Sequence, residues 1–180
     1  MEIVDREGSL DLEAFLRRPL FAHLATTDAG IARESPVWFL WEDGALWILT
    51  NRDDDSFPRR IEREPRCAVG IVDYDPAAGV VQHVGFRGRA AVVAFDRERA
   101  VRKLRKYLGP DESRWDRRRF ALRSPSLAFV RFVPETAVVR DQSYAVGGAM
   151  RACQDNVTEA ARRLGVARST VYRVLRGRKG

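Results

Sequence analysis

The sequence predicts an α+β protein that is mainly β: a small antiparallel barrel with helices at its margins, followed by a short all-helical unit. Three observations carry this. Short apolar runs separated by turn residues recur from Leu20 to Arg140, the pattern of strands joined by short connections and not of a βαβ repeat. Within that series, residues 96–108 carry apolar side chains at helical spacing. Beyond residue 150 the pattern changes to two short helical stretches around Gly165, where most of the excess positive charge lies.

Asp11 is placed to cap a short helix that runs to Arg18 and is stopped by Pro19, with Leu12, Phe15 and Leu16 on one face. Leu20–Thr27 reads as a strand closed by the turn Asp28-Ala29-Gly30, with His23 expected as a packed side chain and not a ligand. A second strand spans Ile31–Trp41, and Pro36 within it demands an edge position or a bulge. Asp43-Gly44 supplies the positive φ of a tight hairpin, and Ala45–Thr50 is the returning strand.

Asn51–Ser56 is a polar loop, and Phe57-Pro58 opens a short helix that ends before Pro65. Arg66–Tyr74 and Val80–Phe95 follow as strands. The second bends at Gly85 and Gly88, where glycine marks a bulge or a close approach by backbone or ligand. Asp96 caps the clearest amphipathic helix, with Ala100, Val101, Leu104, Tyr107 and Leu108 on one face and Gly109-Pro110 at its end. A further helix is expected near Trp115–Leu122, and Leu127–Val133 and Thr136–Arg140 close the series as two strands. Six or seven strands with short connections make a small barrel.

With 180 residues, 45% hydrophobic and 32% charged, the chain has material for one ordinary domain and a small appendage. The acidic start, Met1 to Glu7, lacks the basic and apolar regions of a secretory signal. Cys67 and Cys153 are too few for a disulfide framework and lack metal-ligand spacing, so a cytoplasmic, metal-free protein is expected. There is no P-loop, GxGxxG, GxSxG or HExxH, and His23 and His83 are the only histidines. Redox chemistry in such a barrel requires an organic cofactor.

The net charge of +7 is unevenly placed. Residues 148–180 hold eight Arg/Lys against Asp155 and Glu159, whereas residues 1–147 are nearly neutral. A neutral body with a basic tail points to a polyanionic partner, or to a solvated arginine-rich helix. The division that follows is a barrel over 1–141, a linker over 142–149 and a helical unit over 150–180.

Leu24-Ala25-Thr26-Thr27-Asp28-Ala29-Gly30, Ser35-Pro36-Val37-Trp38-Phe39 and Asp43-Gly44-Ala45-Leu46-Trp47-Ile48-Leu49-Thr50 occur in an order that resembles the pyridoxamine-phosphate-oxidase-like family of flavin-binding split barrels. Arg63-Glu64-Pro65-Arg66, Gly88-Arg89-Ala90 and Pro134-Glu135-Thr136-Ala137-Val138-Val139 extend the resemblance over about residues 11–141. It implies a six-stranded split barrel that forms a homodimer, with flavin mononucleotide (FMN) in a groove between subunits. By position, Arg33, Pro36, Val37 and Trp38 would follow the ring and ribityl chain, Leu49 and Thr50 the phosphate end, and His83 a polar position near the ring. Relatives place a basic pair on the phosphate where this chain has Ser56 and Phe57. Arg59, Arg60 or Arg52 could replace it from one turn or a loop away, with the acidic run Asp53-Asp54-Asp55 opposing. The alternative for Arg59 and Arg60 is exposed pairing with Glu62 or Glu64. Trp41 and Trp47 read as core or interface residues.

In the tail, Asn156 can cap a helix with Val157, Ala160, Ala161 and Leu164 on one face. Gly165 turns the chain, Val166 plugs between the helices, and a second helix from Arg168 or Ser169 turns Val171, Val174 and Leu175 inward. The pattern resembles the Fis-type helix-turn-helix of bacterial enhancer-binding activators. That implies DNA contacts from Arg168, Ser169, Thr170, Tyr172, Arg173 and Arg176, with Arg162, Arg163, Arg178 and Lys179 suited to phosphates. A hairpin that serves only packing is the alternative. The resulting expectation is an FMN-dependent oxidoreductase or flavin or small-molecule sensor that binds DNA. The other readings are a plain flavin reductase or oxidase with a structural tail, or a flavin-free barrel holding a deazaflavin or haem.

Overall fold

The computed structural model describes residues 1–8, 10–76, 78–116, 122–143, 150, 153–165 and 167–177, with the side chains of 173, 174 and 176 outside the description. The strands are β1 (Glu2–Glu7), β2 (Ala22–Asp28), β3 (Ile31–Val37), β4 (Leu40–Glu42), β5 (Ala45–Asn51), β6 (Arg66–Asp75), β7 (Val80–Ala94) and β8 (Leu127–Asp141). The helices are α1 (Leu12–Arg17), α2 (Phe57–Arg63), α3 (Arg97–Leu108), α4 (Val157–Arg163) and α5 (Arg168–Gly177).

The strands form one sheet in the order β3-β2-β6-β7-β8-β5-β4, with β1 added beside β8. β3 and β4, at opposite ends of that order, are joined in the chain by Trp38 and Phe39 alone. The three Cα–Cα steps from Val37 to Leu40 span at most about 11 Å, so the sheet must curl round on itself. Leu24, Phe39, Ile48, Ile71, Phe86, Phe132 and Val139 fill the curl, and Phe15 and Leu16 of α1 and Ile61 of α2 pack on it. The result is mainly β and antiparallel with helices at the margins, as expected.

There are eight strands against the expected six or seven, the net of two additions and one merger. β1 carries no apolar alternation, because every one of its residues is exposed. It is held by main-chain pairing, parallel to β8, and by the Arg140–Asp5 ion pair at 2.6 Å. The strand expected over Ile31–Trp41 breaks after Val37 into β3 and β4, and Pro36 lies on the edge strand β3. The two strands expected at the end are one, β8, which absorbs Pro134 by a register shift opposite Arg87 and Gly88.

That shift explains Gly88. A Cβ on it would stand 2.1 Å from the Val133 carbonyl oxygen, so the close approach read from sequence is by backbone of β8. His23 is not packed. In β2 the inward positions are Ala22, Leu24 and Thr26, and His23 points outward, with Nδ1 2.6 Å from Glu34 Oε1. The expected helix over Trp115–Leu122 is not found at Trp115 and Asp116, which follow a 3-10 turn at Glu112–Arg114. Its remainder over 117–121 lies outside the described residues.

The helical tail has its own small cluster of Met150, Cys153, Ala160, Ala161 and Val171, flanked by Val157, Leu164 and Leu175. The Asn156 side chain caps α4 by accepting from Thr158 N and Glu159 N. Gly165, at φ 63°, turns the chain toward α5. The linker residues 144–149 and Val166 lie outside the described residues. No helix among the described residues is long and apolar enough to cross a membrane.

Candidate functional site

β5 ends at Asn51, and the acidic run that follows builds the turn into α2. Asp55 accepts from Thr50 Oγ1 at 2.7 Å and Asn51 N at 3.0 Å, and Asp54 accepts from Asn51 Nδ2 at 2.5 Å. Asp53 bonds Ser126. These carboxylates therefore fold the loop in the manner of side-chain-capped turns. They deliver Ser56 and Pro58, which open α2, and the helix sends Phe57, Arg60 and Ile61 inward at i, i+3 and i+4.

A groove of about 490 Å³ opens between this turn, the end of β3 and α3. Ser35, Pro36, Val37 and Trp38 form one wall, Leu49 part of the floor, and Asp54, Asp55, Ser56 and Phe57 the second wall. Phe21, Glu34 and Lys103 complete it. Its size falls in the range of small-molecule and cofactor pockets.

Arg60 lies behind the groove, 7% exposed. Its Nε donates to Thr26 Oγ1 at 2.8 Å and one Nη to Ser56 Oγ at 2.7 Å, with Ser35 Oγ 3.5 Å from the other. Each of these partners is a hydroxyl. A buried cation is normally paired with an acid, so this guanidinium carries its charge to the groove wall through Ser35 and Ser56.

On the other side, the Trp38 ring stacks on Tyr107 at 4.5 Å between centroids and 2° between planes. Tyr107 Oη accepts from Phe39 N at 3.0 Å and donates to Leu20 O at 2.8 Å, and burial pushes the phenol above its usual range. Lys106 Nζ donates to Leu16 O and Phe39 O, at 2.9 and 3.0 Å. Burial, then repulsion by Lys103, bring its amine down to about 7. The inward face of α3 is thus Ala100, Lys103 and Leu104, two of its apolar positions flanking a lysine.

The family model for pyridoxamine 5'-phosphate oxidase matches residues 11–139. The chain belongs to the pyridoxamine 5'-phosphate oxidase family. Solved structures agree on the fold. The conserved hypothetical protein Rv2991 from Mycobacterium tuberculosis is 22% identical with a TM-score of 0.60, over 76% of this chain and 89% of its own. A protein described as an F420 reductase is also 22% identical, with a TM-score of 0.52 over 69% of this chain and 94% of its own. The haem storage protein HutZ from Vibrio cholerae is 18% identical, with a TM-score of 0.56 over 71% and 91%. No curated protein matches the chain.

Within this pyridoxamine 5'-phosphate oxidase family fold, the structure gathers some of the expected residues and separates others. Pro36, Val37, Trp38 and Leu49 line the groove, with Arg60 behind it. Thr50 is buried with its hydroxyl bound to Asp55 and does not line it. Arg59 is exposed, and Arg52 pairs with Glu62 at 2.7 Å. Arg33 is exposed on β3 opposite Thr26, outside the lining. His83 lies on β7 opposite Val72 and Arg140, also outside the lining, where burial and then Arg140 lower its pKa. Trp41 stacks on Phe86, and Trp47 is buried against Phe129.

Lys103 was missed because α3 reads as a clean amphipathic helix. The signal was present: Lys103 stands three residues after Ala100 and four before Tyr107, an inward position. In the tail, Arg168, Ser169 and Tyr172 are exposed and Thr170 is half-buried, while the side chains of Arg173 and Arg176 lie outside the description. Arg178 and Lys179 also lie outside it. Arg162 is exposed and pairs with Glu159. Arg163 corrects its assignment to a phosphate. Its side chain is 12% exposed and bonds Asp141 at the end of β8.

Proposed function

We propose that the groove holds FMN and that the protein is a flavin-dependent oxidoreductase, or a flavin or small-molecule sensor, whose C-terminal helices bind DNA. One observation carries the cofactor reading: Arg60, a buried guanidinium whose partners are the hydroxyls of Thr26, Ser56 and Ser35. It fits a phosphate in charge and donor type, since charge-assisted bonds to phosphate are the strong ones. The acids on the rim oppose this less than their number implies, because Asp54 and Asp55 are engaged by Asn51 and Thr50.

In this reading Ser35 and Ser56, backed by Arg60, hold the phosphate. Pro36, Trp38 and Leu49 offer apolar surface to the rest of the cofactor, and Tyr107 fixes the Trp38 plane. Bound flavin would supply hydride chemistry at its N5. Relatives of this fold described as an F420 reductase and a haem storage protein define the competing ligands. A deazaflavin with a phosphate meets the same donors. Haem is disfavoured here, because among the described residues no His, Cys, Met or Tyr lines the groove.

A homodimer is proposed through the outward face of β6, where Val72 and Tyr74 are exposed. DNA binding is supported by the basic tail and by the exposed Arg168, Ser169 and Tyr172 at the start of α5. Transcriptional regulation is the function that joins a ligand pocket to such a tail. The deciding experiment is titration of the purified protein with FMN, F420 and haem, followed by absorption and flavin fluorescence. Saturable micromolar FMN binding supports the proposal. Binding of F420 or haem alone replaces it.

A further inference from the structure

The charged side chains lining the groove are Glu34, Asp54, Asp55 and Lys103. The three acids have partners: Glu34 on His23, Asp54 on Asn51, and Asp55 on Thr50 and Asn51. Lys103 has none. Its side chain is 5% exposed, and among the described residues it makes neither a hydrogen bond nor an ion pair. The ammonium stands 5.5 Å from the Trp38 ring centroid, and Trp38 is held in place from behind by Tyr107.

A buried ammonium without a bonded acid is expensive to keep in a fold. Ala100 and Leu104 beside it are buried apolar residues, so an apolar residue at 103 would pack in its place. The chain supplies Lys103 with the Trp38 ring face and the field of Asp55, but with no hydrogen-bonded partner among the described residues, and an oxyanion entering the groove supplies that.

We propose that Lys103 is a direct oxyanion receptor of the groove, binding a phosphate or carboxylate of the ligand that fills it. Arg60 acts through Ser35 and Ser56 from behind one wall, whereas Lys103 lines the groove itself. The proposal rests on the reading of the groove as a ligand pocket, but not on the ligand being FMN.

The charged and titratable groups around Lys103 set how its proton responds. Asp55 of the turn favours the ammonium, and burial opposes it more strongly, bringing the amine down to about 8. Asp54 and Glu34 line the same groove from the turn and from β3. On α3 itself, Lys106 repels it and Tyr107 is a neutral phenol at neutral pH. An entering oxyanion stabilises the ammonium, so binding raises the pKa and weakens as pH rises above about 8.

The test uses the full chain with lysine side chains labelled for NMR, the Lys103 signal being assigned by its loss in Lys103→Arg. Inorganic phosphate, pyrophosphate and acetate are the ligand-free probes, and FMN and riboflavin are titrated by fluorescence. The Lys103 titration should move up by about one unit or more with an oxyanion, and phosphate against acetate tells which kind is preferred. Lys103→Met should lose FMN affinity tenfold or more at pH 7 while leaving riboflavin unchanged. Lys103→Arg should restore FMN binding and remove the weakening above pH 8, and it guards against misfolding of the methionine variant.

A silent Lys103 signal with wild-type FMN affinity in Lys103→Met overturns the proposal, and so does an equal loss for riboflavin and FMN. If FMN fails to bind the wild-type protein but Lys103 responds to pyrophosphate, the receptor stands and the FMN reading falls.

Discussion

Arg163, the last residue of α4, donates to the carboxylate of Asp141, the last residue of β8, at 2.5 Å. Asp141 also accepts from Gln82 Nε2 at 3.1 Å and Ser143 Oγ at 2.7 Å. Gln82 Oε1 in turn accepts from Arg18, which bonds Asp73 on β6. The helical tail is therefore tied to the barrel through a buried polar network spanning β6, β7 and β8.

Removing one partner from a buried pair leaves the other charge uncompensated, and loss of a buried partner typically costs about 3–5 kcal/mol. Asp141 would keep Gln82 and Ser143, so Arg163→Ala should destabilise by about 2 kcal/mol. Protease cleavage in the tail should accelerate before the barrel melts. A two-probe thermal melt with limited proteolysis measures both.

Gly88→Ala should destabilise more than any surface substitution. Its Cβ would meet the Val133 carbonyl oxygen and the Pro134 Cα at 2.1 and 2.9 Å, both backbone atoms that cannot step aside. Overpacking costs about 1–3 kcal/mol, and a clash with backbone belongs at the upper end. Gly70→Ala, where a Cβ meets nothing within 4 Å, is the control in urea unfolding.

Arg60→Met should weaken FMN binding by tenfold to a hundredfold and leave riboflavin, which lacks the phosphate, nearly unchanged. Arg60 acts through Ser35 and Ser56, and loss of its charge-assisted bonds to those hydroxyls is worth about 1.5–3 kcal/mol. Arg59→Met, at an exposed position on the same helix, should alter neither. Fluorescence titrations of the two flavins read the difference.

Stability should rise with pH from about 7 toward 10. Unfolded, Lys103 and Lys106 titrate near 10.5; folded, burial lowers them to about 8 and about 7. Between these values the unfolded chain binds more protons, so raising the pH favours the folded state. The penalty is fully present below about 7. Above about 10 the raised Tyr107 pKa reverses the slope, because the folded phenol then holds a proton that the unfolded one has lost. Urea midpoints from pH 6.5 to 9.5 should climb in the wild type and climb less steeply in Lys106→Met, where Lys103 alone remains.

Duplex DNA binding should weaken linearly in log K against log salt, and Arg168→Ala should reduce that slope by about one. Deletion of residues 150–180 should abolish binding and leave flavin titration intact. Fluorescence anisotropy at several salt concentrations supplies the slope.

Much of the fold was legible because its signals are local. The Asp11 and Asp96 caps, the Asp43-Gly44 hairpin and the two helices around Gly165 each depend on a few neighbouring residues. β1 was not legible, since its residues are exposed and its main chain pairs with a strand more than a hundred positions away. The groove was half legible. Ser35–Val37 and Leu49 stand on strands that pattern alone locates and Trp38 directly follows one, whereas Arg33 on β3 and His83 on β7 lie outside the lining.

Local signals in the sequence locate most of the strands, helices and turns and place the positive charge in the tail. Which cations work inside the molecule follows from long-range packing. Arg59 and Arg60 are adjacent in sequence, yet Arg60 alone meets Thr26, thirty-four positions away, and Lys103 faces the groove from a helix that reads as ordinary. Side-chain period sets which way a residue points; what it meets there depends on the curl of the sheet, which long-range packing fixes.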